Sequence, residues 1–150
     1  MANIGDQVSG GTVFYTGTTI LIAATRDLIG SRYWGCYLIG IDGTFTDIGT
    51  GQANTGLIVS GCTGNTMIAA TSCDNLVLNG YSDWFLPSKD ELNEMYKLKD
   101  LILGDFDLYD NYWSSSQYNP EAAWIQYFLN GTQSRGDKDQ LYRVRPIRAV

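Results

Sequence analysis

The sequence predicts a single α+β domain, on three observations. A capped, amphipathic helix occupies the middle of the chain. Strand-like apolar segments lie near its start and through its last third. No repeat of solenoid period and no linker divides it. At 150 residues the chain can hold one core without covalent staples, because a chain of this length buries roughly 68–70% of its unfolded surface. Residues 1–150 are therefore read as one domain, with residues 1–6 as a tail or exposed lead-in.

Gly10 and Gly11 open a hairpin. Val13, Phe14 and Tyr15 form one arm, Thr16, Gly17 and Thr18 the turn, and residues 20–24 the return. The stretch from Thr19 to Ala24 is apolar at nearly every position, which predicts burial on both faces. Residues 26–51 are rich in Gly, Asp and Thr and read as a long excursion that sends Trp34, Cys36, Tyr37 and Ile39 toward the core. A short helix is expected over residues 52–60, with Thr50 as N-cap, Leu57 and Ile58 on its apolar side and Gly61 at its end. Part of residues 67–78 predicts a second helix.

The stretch NGYSDWFLPSKDEL, residues 79–92, organises the rest. Gly80 suits the positive φ of a turn. Trp84, Phe85 and Leu86 belong in a core, and Pro87 holds Leu86 extended. Ser88 and Glu91 have the spacing of a capping box, in which the hydroxyl accepts from the Glu91 amide and the carboxylate accepts from the Ser88 amide. Asp90 and Glu91 place negative charge at the favourable end of the helix dipole. Leu92, Met95 and Tyr96 make one apolar stripe, so a helix is expected over residues 88–98. Acidic and aliphatic residues then run from 97 to 111. Strands are expected at residues 112–116, 123–129 and from about Ser134, with an Asn130-Gly131 turn. The last is expected over residues 142–150, broken or confined to an edge by Pro146.

Composition restricts the function. A net charge of −6 and a pI near 4.4 argue against nucleic acid and anionic membranes as partners. They leave neutral glycans and proteins open. With no histidine the chain lacks the commonest general base and metal ligand. No Ser/His/Asp or Cys/His set can be built, and the cysteine spacings fit no zinc site. No apolar run is long enough to span a bilayer. The start, MANIGDQVSGG, has neither the basic nor the apolar region of a Sec signal. Of the three cysteines, at least one is unpaired. Cys62 and Cys73 can bridge across a short loop with Cys36 left over, or all three can be buried thiols.

Four segments, GGTVFY from Gly10, GYSDWFLPSKDELNEMY from Gly80, YWSSSQY from Tyr112 and AWIQYFLNGTQ…YRVRPIRAV from Ala123, carry a family resemblance. Together they resemble the Lcl C-terminal-type domain, from about Gly5 to Val150 and least over residues 26–50. That resemblance implies a C-type-lectin-like fold: two helices, a small mixed or antiparallel sheet, and N- and C-terminal strands side by side. It relates the chain to formylglycine-generating enzymes and to variable receptor-binding proteins of phages. It implies ligand or surface binding, with no one agreed ligand. Cys62 and Cys73 do not match the placement of the enzyme relatives' cysteine pair, so no enzymatic activity and no cofactor are expected.

Strand alternation puts Trp124, Gln126 and Phe128 on one face and Ile125, Tyr127 and Leu129 on the other. The W-x-Q-x-F frame shared with the family assigns the first set to the inside. The second set then forms an outward apolar row that a ligand, a partner or a second copy must cover, unless residues 97–111 cover it from within. Neighbouring loops add Tyr118, Asn119, Glu121, Asn130, Thr132, Gln133, Arg135, Asp137, Lys138 and Asp139. Aromatics beside amides suit adaptable recognition and suit a sugar ring. Arg143, Arg145 and Arg148 are expected to pair with carboxylates rather than to bind an anion. Asp105, Asp107 and Asp110 lack EF-hand spacing and read as a solvated acidic loop, and Asn119-Pro120-Glu121 reverses the calcium tripeptide of C-type lectins. No metal is expected.

The resulting expectation is a non-catalytic binding module that recognises a host-surface glycan or protein. An adhesion-type fold without an export signal fits a phage virion protein released by lysis. The alternative is a structural decoration or fibre component whose row packs on neighbouring virion subunits, including a homo-oligomer.

Overall fold

The hairpin expected near the N-terminus nucleates the first of two sheets in the computed structural model, which describes residues 2–150. Met1, the first residue of the expected tail, lies outside the described residues. Strands β1 (Gln7–Val8), β2 (Gly11–Thr16) and β3 (Ile20–Ala24) are antiparallel neighbours, and β7 (Ile147–Ala149) adds to β3. The register sets Leu21 opposite Ala149 and Ala23 opposite Ile147, so the chain's last strand lies beside the return arm of its first hairpin. Leu21, Ile22, Ala23 and Ala24 are buried on both faces, as their unbroken apolar run requires. The Gly5 amide donates to the Val13 carbonyl, and the Val13 amide donates to the Asp6 carbonyl. Pro146 shortens the terminal strand, which begins only after it.

The second sheet is antiparallel, in the order β4 (Asn111–Asn119), β5 (Ala122–Tyr127), β6 (Gln133–Asp137). Three helices precede it among the described residues: α1 (Gly51–Gly61), α2 (Ala69–Asp74) and α3 (Lys89–Lys97). The architecture is thus α+β with three helices and two antiparallel sheets, the three helices expected from the residues and one more than the resemblance implies. Thr50 does precede α1, but its hydroxyl donates to the Asp47 carbonyl instead of capping the helix. Ser88 and Glu91 form the complete capping box of α3: the Ser88 amide donates to Glu91 Oε1 at 2.8 Å, and the Glu91 amide to Ser88 Oγ at 3.3 Å.

Residues 84–87 join two apolar clusters. Leu86 packs with Trp34, Ile58, Trp113 and Val144, while Phe85 packs with Phe14, Leu21, Tyr112 and Phe128. Phe85 also exchanges backbone hydrogen bonds with Ile147, and the Pro87 carbonyl accepts from the Ser115 amide. One short stretch therefore links the hairpin sheet, the second sheet and α1. The serines of YWSSSQY are small buried struts. Ser114 Oγ donates to the Trp124 carbonyl, Ser115 Oγ accepts from Asn54, and Ser116 Oγ donates to the Phe45 carbonyl and accepts from the Lys89 amide. Each contact satisfies a buried polar group while tying β4 to β5, to α1, to the start of α3 or to the excursion at Phe45.

The terminal arginines are structural, as expected. Arg143 pairs with Asp107 and Asp110, Arg145 with Asp27, and Arg148 with Asp83. Asp107 and Asp110 are thereby engaged by Arg143 rather than left as a solvated pair. The cysteine outcome differs from both alternatives: Cys36 bonds to Cys62 with their Cα atoms 5.5 Å apart, and Cys73 is the free, buried thiol. Cys73 lies inside α2, in the core, where burial pushes its thiol well above the usual range. Reducing the bridge, or changing Cys36 to Ser, is expected to lower stability by about 3 kcal/mol, given its sequence separation of 26 and chain-entropy estimates for such loops. Thermal unfolding with and without reductant measures this.

Candidate functional site

The expected outward row does not form. Ile125 is 4% exposed. It sits opposite Trp113 in the sheet and belongs to the same apolar cluster, with Tyr142 packed against that cluster. Gly136 makes this possible, because a Cβ there would come within 2.8 Å of Ile125 and 2.9 Å of Tyr142. The cover over Ile125 is thus the segment leading to the terminal strand, not residues 97–111. Tyr127 is half-buried and Leu129 half-exposed, so the three do not make a continuous face. Gln126 and Phe128 are fully buried, as assigned, whereas Trp124 is only partly so.

Four other expected site residues are also engaged within the fold. Lys138 is 1% exposed. Its Nζ donates to the Ile39 carbonyl at 3.0 Å and to Gln117 Oε1 at 2.8 Å, and lies 4.5 Å from the Trp34 ring centroid. It is a buried fastener between β6, β4 and the excursion. Asn119 accepts from the Glu121 and Ala122 amides, and Asn130 from the Thr132 amide. Both side chains shape turns. Gln133 donates to the Lys89 carbonyl.

Burial alone lowers the Lys138 pKa to about 8. Above that value the folded form loses its proton while the unfolded chain keeps it up to roughly 10.4, so stability rises with pH across the interval. The stability of the native chain relative to Lys138→Met is therefore expected to increase between about 8 and roughly 10.4. Denaturant titrations of both proteins at several pH values measure that difference, which cancels the opposing contribution of Cys73.

Tyr118, Arg135 and the partly exposed Trp124 do come together. Trp124 and Arg135 face each other across β5 and β6. Tyr118, 47% exposed, meets Trp124 edge-to-face at 5.0 Å. Arg135 lies 5.4 Å from the Tyr118 ring centroid, and Lys89 lies 4.0 Å from that of Trp124. Arg135 is itself held by Asp137 at 3.2 Å and Glu121 at 3.5 Å. The aromatic pair is thus mounted on a strand pair and braced by two cations.

Beside this pair stands a loop that the sequence does not mark as part of the site. Tyr37 and Ile39 were expected in the core, but both are exposed, as is Tyr33. Positive φ at Gly35, Cys36 and Leu38 reverses the chain here, while the Cys36–Cys62 bridge and a Leu38 amide to Pro120 carbonyl bond hold it. The Tyr37 hydroxyl is held above its usual pKa by Asp139 first, then by its partial desolvation and by Glu121 and Asp137. Tyr37 therefore stands in the same electrostatic neighbourhood as the Arg135 carboxylate pair. Beside it, Tyr33, Tyr37, Asn65 and Asp139 line an open cleft of about 320 Å³. Two tyrosines either side of a disulfide cysteine, in a Gly-rich stretch, were the available signal. The surface offers aromatic faces, an amide and charged hydrogen-bonding groups.

The family model described as the Lcl C-terminal domain matches residues 49–148. Its span holds Trp124, Tyr118 and Arg135, while Tyr33 and Tyr37 precede it. Among solved structures, a fimbrial protein from Bacteroides ovatus is similar with a TM-score of 0.53 and 13% identity, and the match covers 85% of this chain and 35% of that one. At that identity the likeness concerns the fold alone. No curated protein matches this chain.

Proposed function

The chain belongs to the Lcl C-terminal domain family, and we propose that it is a non-catalytic binding module with a C-type-lectin-like organisation. It recognises a neutral glycan on a host surface, or the protein that carries it, through Tyr118, Trp124 and the Tyr33–Tyr37 loop. The observation that carries this reading is the Tyr118–Trp124 pair on β4 and β5, exposed at Tyr118 and partly so at Trp124, flanked by Arg135 and Lys89. An aromatic face stacks on the apolar side of a sugar ring, and the bordering amide, carboxylate and guanidinium groups hydrogen-bond its hydroxyls. The net charge of −6 disfavours anionic partners. The pairing of β7 with β3 supports the lectin-like organisation.

We place the protein outside the cell, on a phage particle or comparable surface assembly. The Cys36–Cys62 bridge supports an oxidising setting, and no helix among the described residues is long and apolar enough to cross a membrane. The test is a glycan array probed with the native chain and with Trp124→Ala and Tyr118→Ala. Each change is expected to weaken binding to the recognised glycans at least about 10-fold, as loss of an interface anchor does. Undiminished binding by both variants would sink the assignment.

A further inference from the structure

Four of the arginines, Arg135, Arg143, Arg145 and Arg148, are paired with carboxylates. Arg26 and Arg32 have no carboxylate partner among the described residues. The Arg32 side chain donates to Ser72 Oγ and the Ile29 carbonyl, and Arg26 is exposed. Both line one open groove of about 440 Å³. Its other walls include Ile29 at 82% exposure, Val77 at 72% and Met67 at 60%. Unpaired cations among exposed apolar side chains call for an occupant that is acidic and apolar together.

The same chain carries such a segment. Residues 99–109 expose Leu101, Leu103, Leu108 and Tyr109, and Asp100 and Asp105 are exposed without an ion pair among the described residues. This segment abuts the groove. Gly104 packs on the backbone of Thr25 and Arg26, where a Cβ would collide with the Thr25 carbonyl oxygen. Arg145 fixes the segment by donating to the Leu103, Gly104 and Asp105 carbonyls.

We propose that the Arg26/Arg32 groove receives residues 99–109 of a second copy of this chain. Two complementary patches that adjoin on one molecule suit an isologous dimer, since a two-fold axis through their junction lays each patch on its complement twice. The surface shares no residue with the Tyr118–Trp124 site, so the dimer and the binding function stand or fall separately.

The test is light scattering on the full chain and on two charge-reversed variants, Arg26→Glu/Arg32→Glu and Asp100→Lys/Asp105→Lys. The native chain is expected at twice 16.6 kDa, shifting toward one chain at high salt. Each variant alone is expected as a monomer, because its patches repel. Their equimolar mixture is expected to return to the doubled mass, since each acquires an oppositely charged complement. This recovery also shows that both variants are folded. A native chain of single mass up to millimolar concentration, a variant that keeps the doubled mass alone, or a mixture that stays at single mass would overturn the proposal.

Discussion

Changing Arg145 to alanine is expected to cost about 3–5 kcal/mol of folding stability, the range seen when one partner of a buried ion pair is removed. The same change at Arg135 is expected to cost far less, because that side chain is half in water and its ion pairs are screened. The Arg145 side chain is fully buried and pairs with Asp27 at 2.7 Å. It also donates to the carbonyls of Ala24, Leu103, Gly104 and Asp105 and stacks on Phe106 at 3.9 Å. Truncation strands Asp27, which otherwise takes both this guanidinium and the Tyr112 hydroxyl, and leaves the carbonyls without donors. Urea unfolding of the two variants distinguishes the cases. Equal, small losses would mean that the buried network contributes little.

Trp34→Ala is expected to cost about 3–5 kcal/mol as well, through the cavity it leaves. Trp34 is fully buried in the cluster around Trp113 and Leu86. Its indole donates to the Ser114 carbonyl at 2.8 Å, and its ring faces the Lys138 ammonium. The residue anchors the loop that presents Tyr33 and Tyr37. Calorimetry is expected to show the stability loss, and ligand binding is expected to weaken although residue 34 touches no solvent. A variant of native stability would contradict the anchoring role.

What could be read from the residues was mostly local. The Ser88–Glu91 capping box and the hairpin depend on neighbours a few residues apart, and both appear where expected. The paired terminal arginines followed from guanidinium chemistry in an acidic chain. Most of the errors share one cause, which is contacts supplied from far along the chain. Alternation correctly grouped Gln126 with Phe128, but it cannot say whether a second element also covers the opposite face. Tyr142, reaching across Gly136, does cover it and buries Ile125. Lys138 looked like a loop lysine, and its acceptors, Ile39 and Gln117, lie 99 and 21 residues away. The Cys36–Cys62 pairing depends on where α1 ends relative to the excursion. The outward turn of Tyr37 depends on backbone reversals at Cys36 and Leu38, neither of them glycine.

Of the residues chosen for the site, Tyr118 and Arg135 sit on the proposed surface. Trp124 joins them because α3 covers Gln126, which bonds to Asn93, and leaves Trp124 to the Lys89 side chain. The surface is therefore an aromatic one, but built at the Tyr118 end of the sheet instead of along β5.

The most direct measurement is a glycan array that compares the native chain with the folded double variant Tyr118→Ala/Trp124→Ala, followed by titration of whichever glycan binds. Recognition through the aromatic pair predicts a defined set of neutral glycans for the native chain and loss of that signal in the double variant at unchanged secondary structure. The same glycans bound equally by both proteins, or none bound by the native chain, would contradict it.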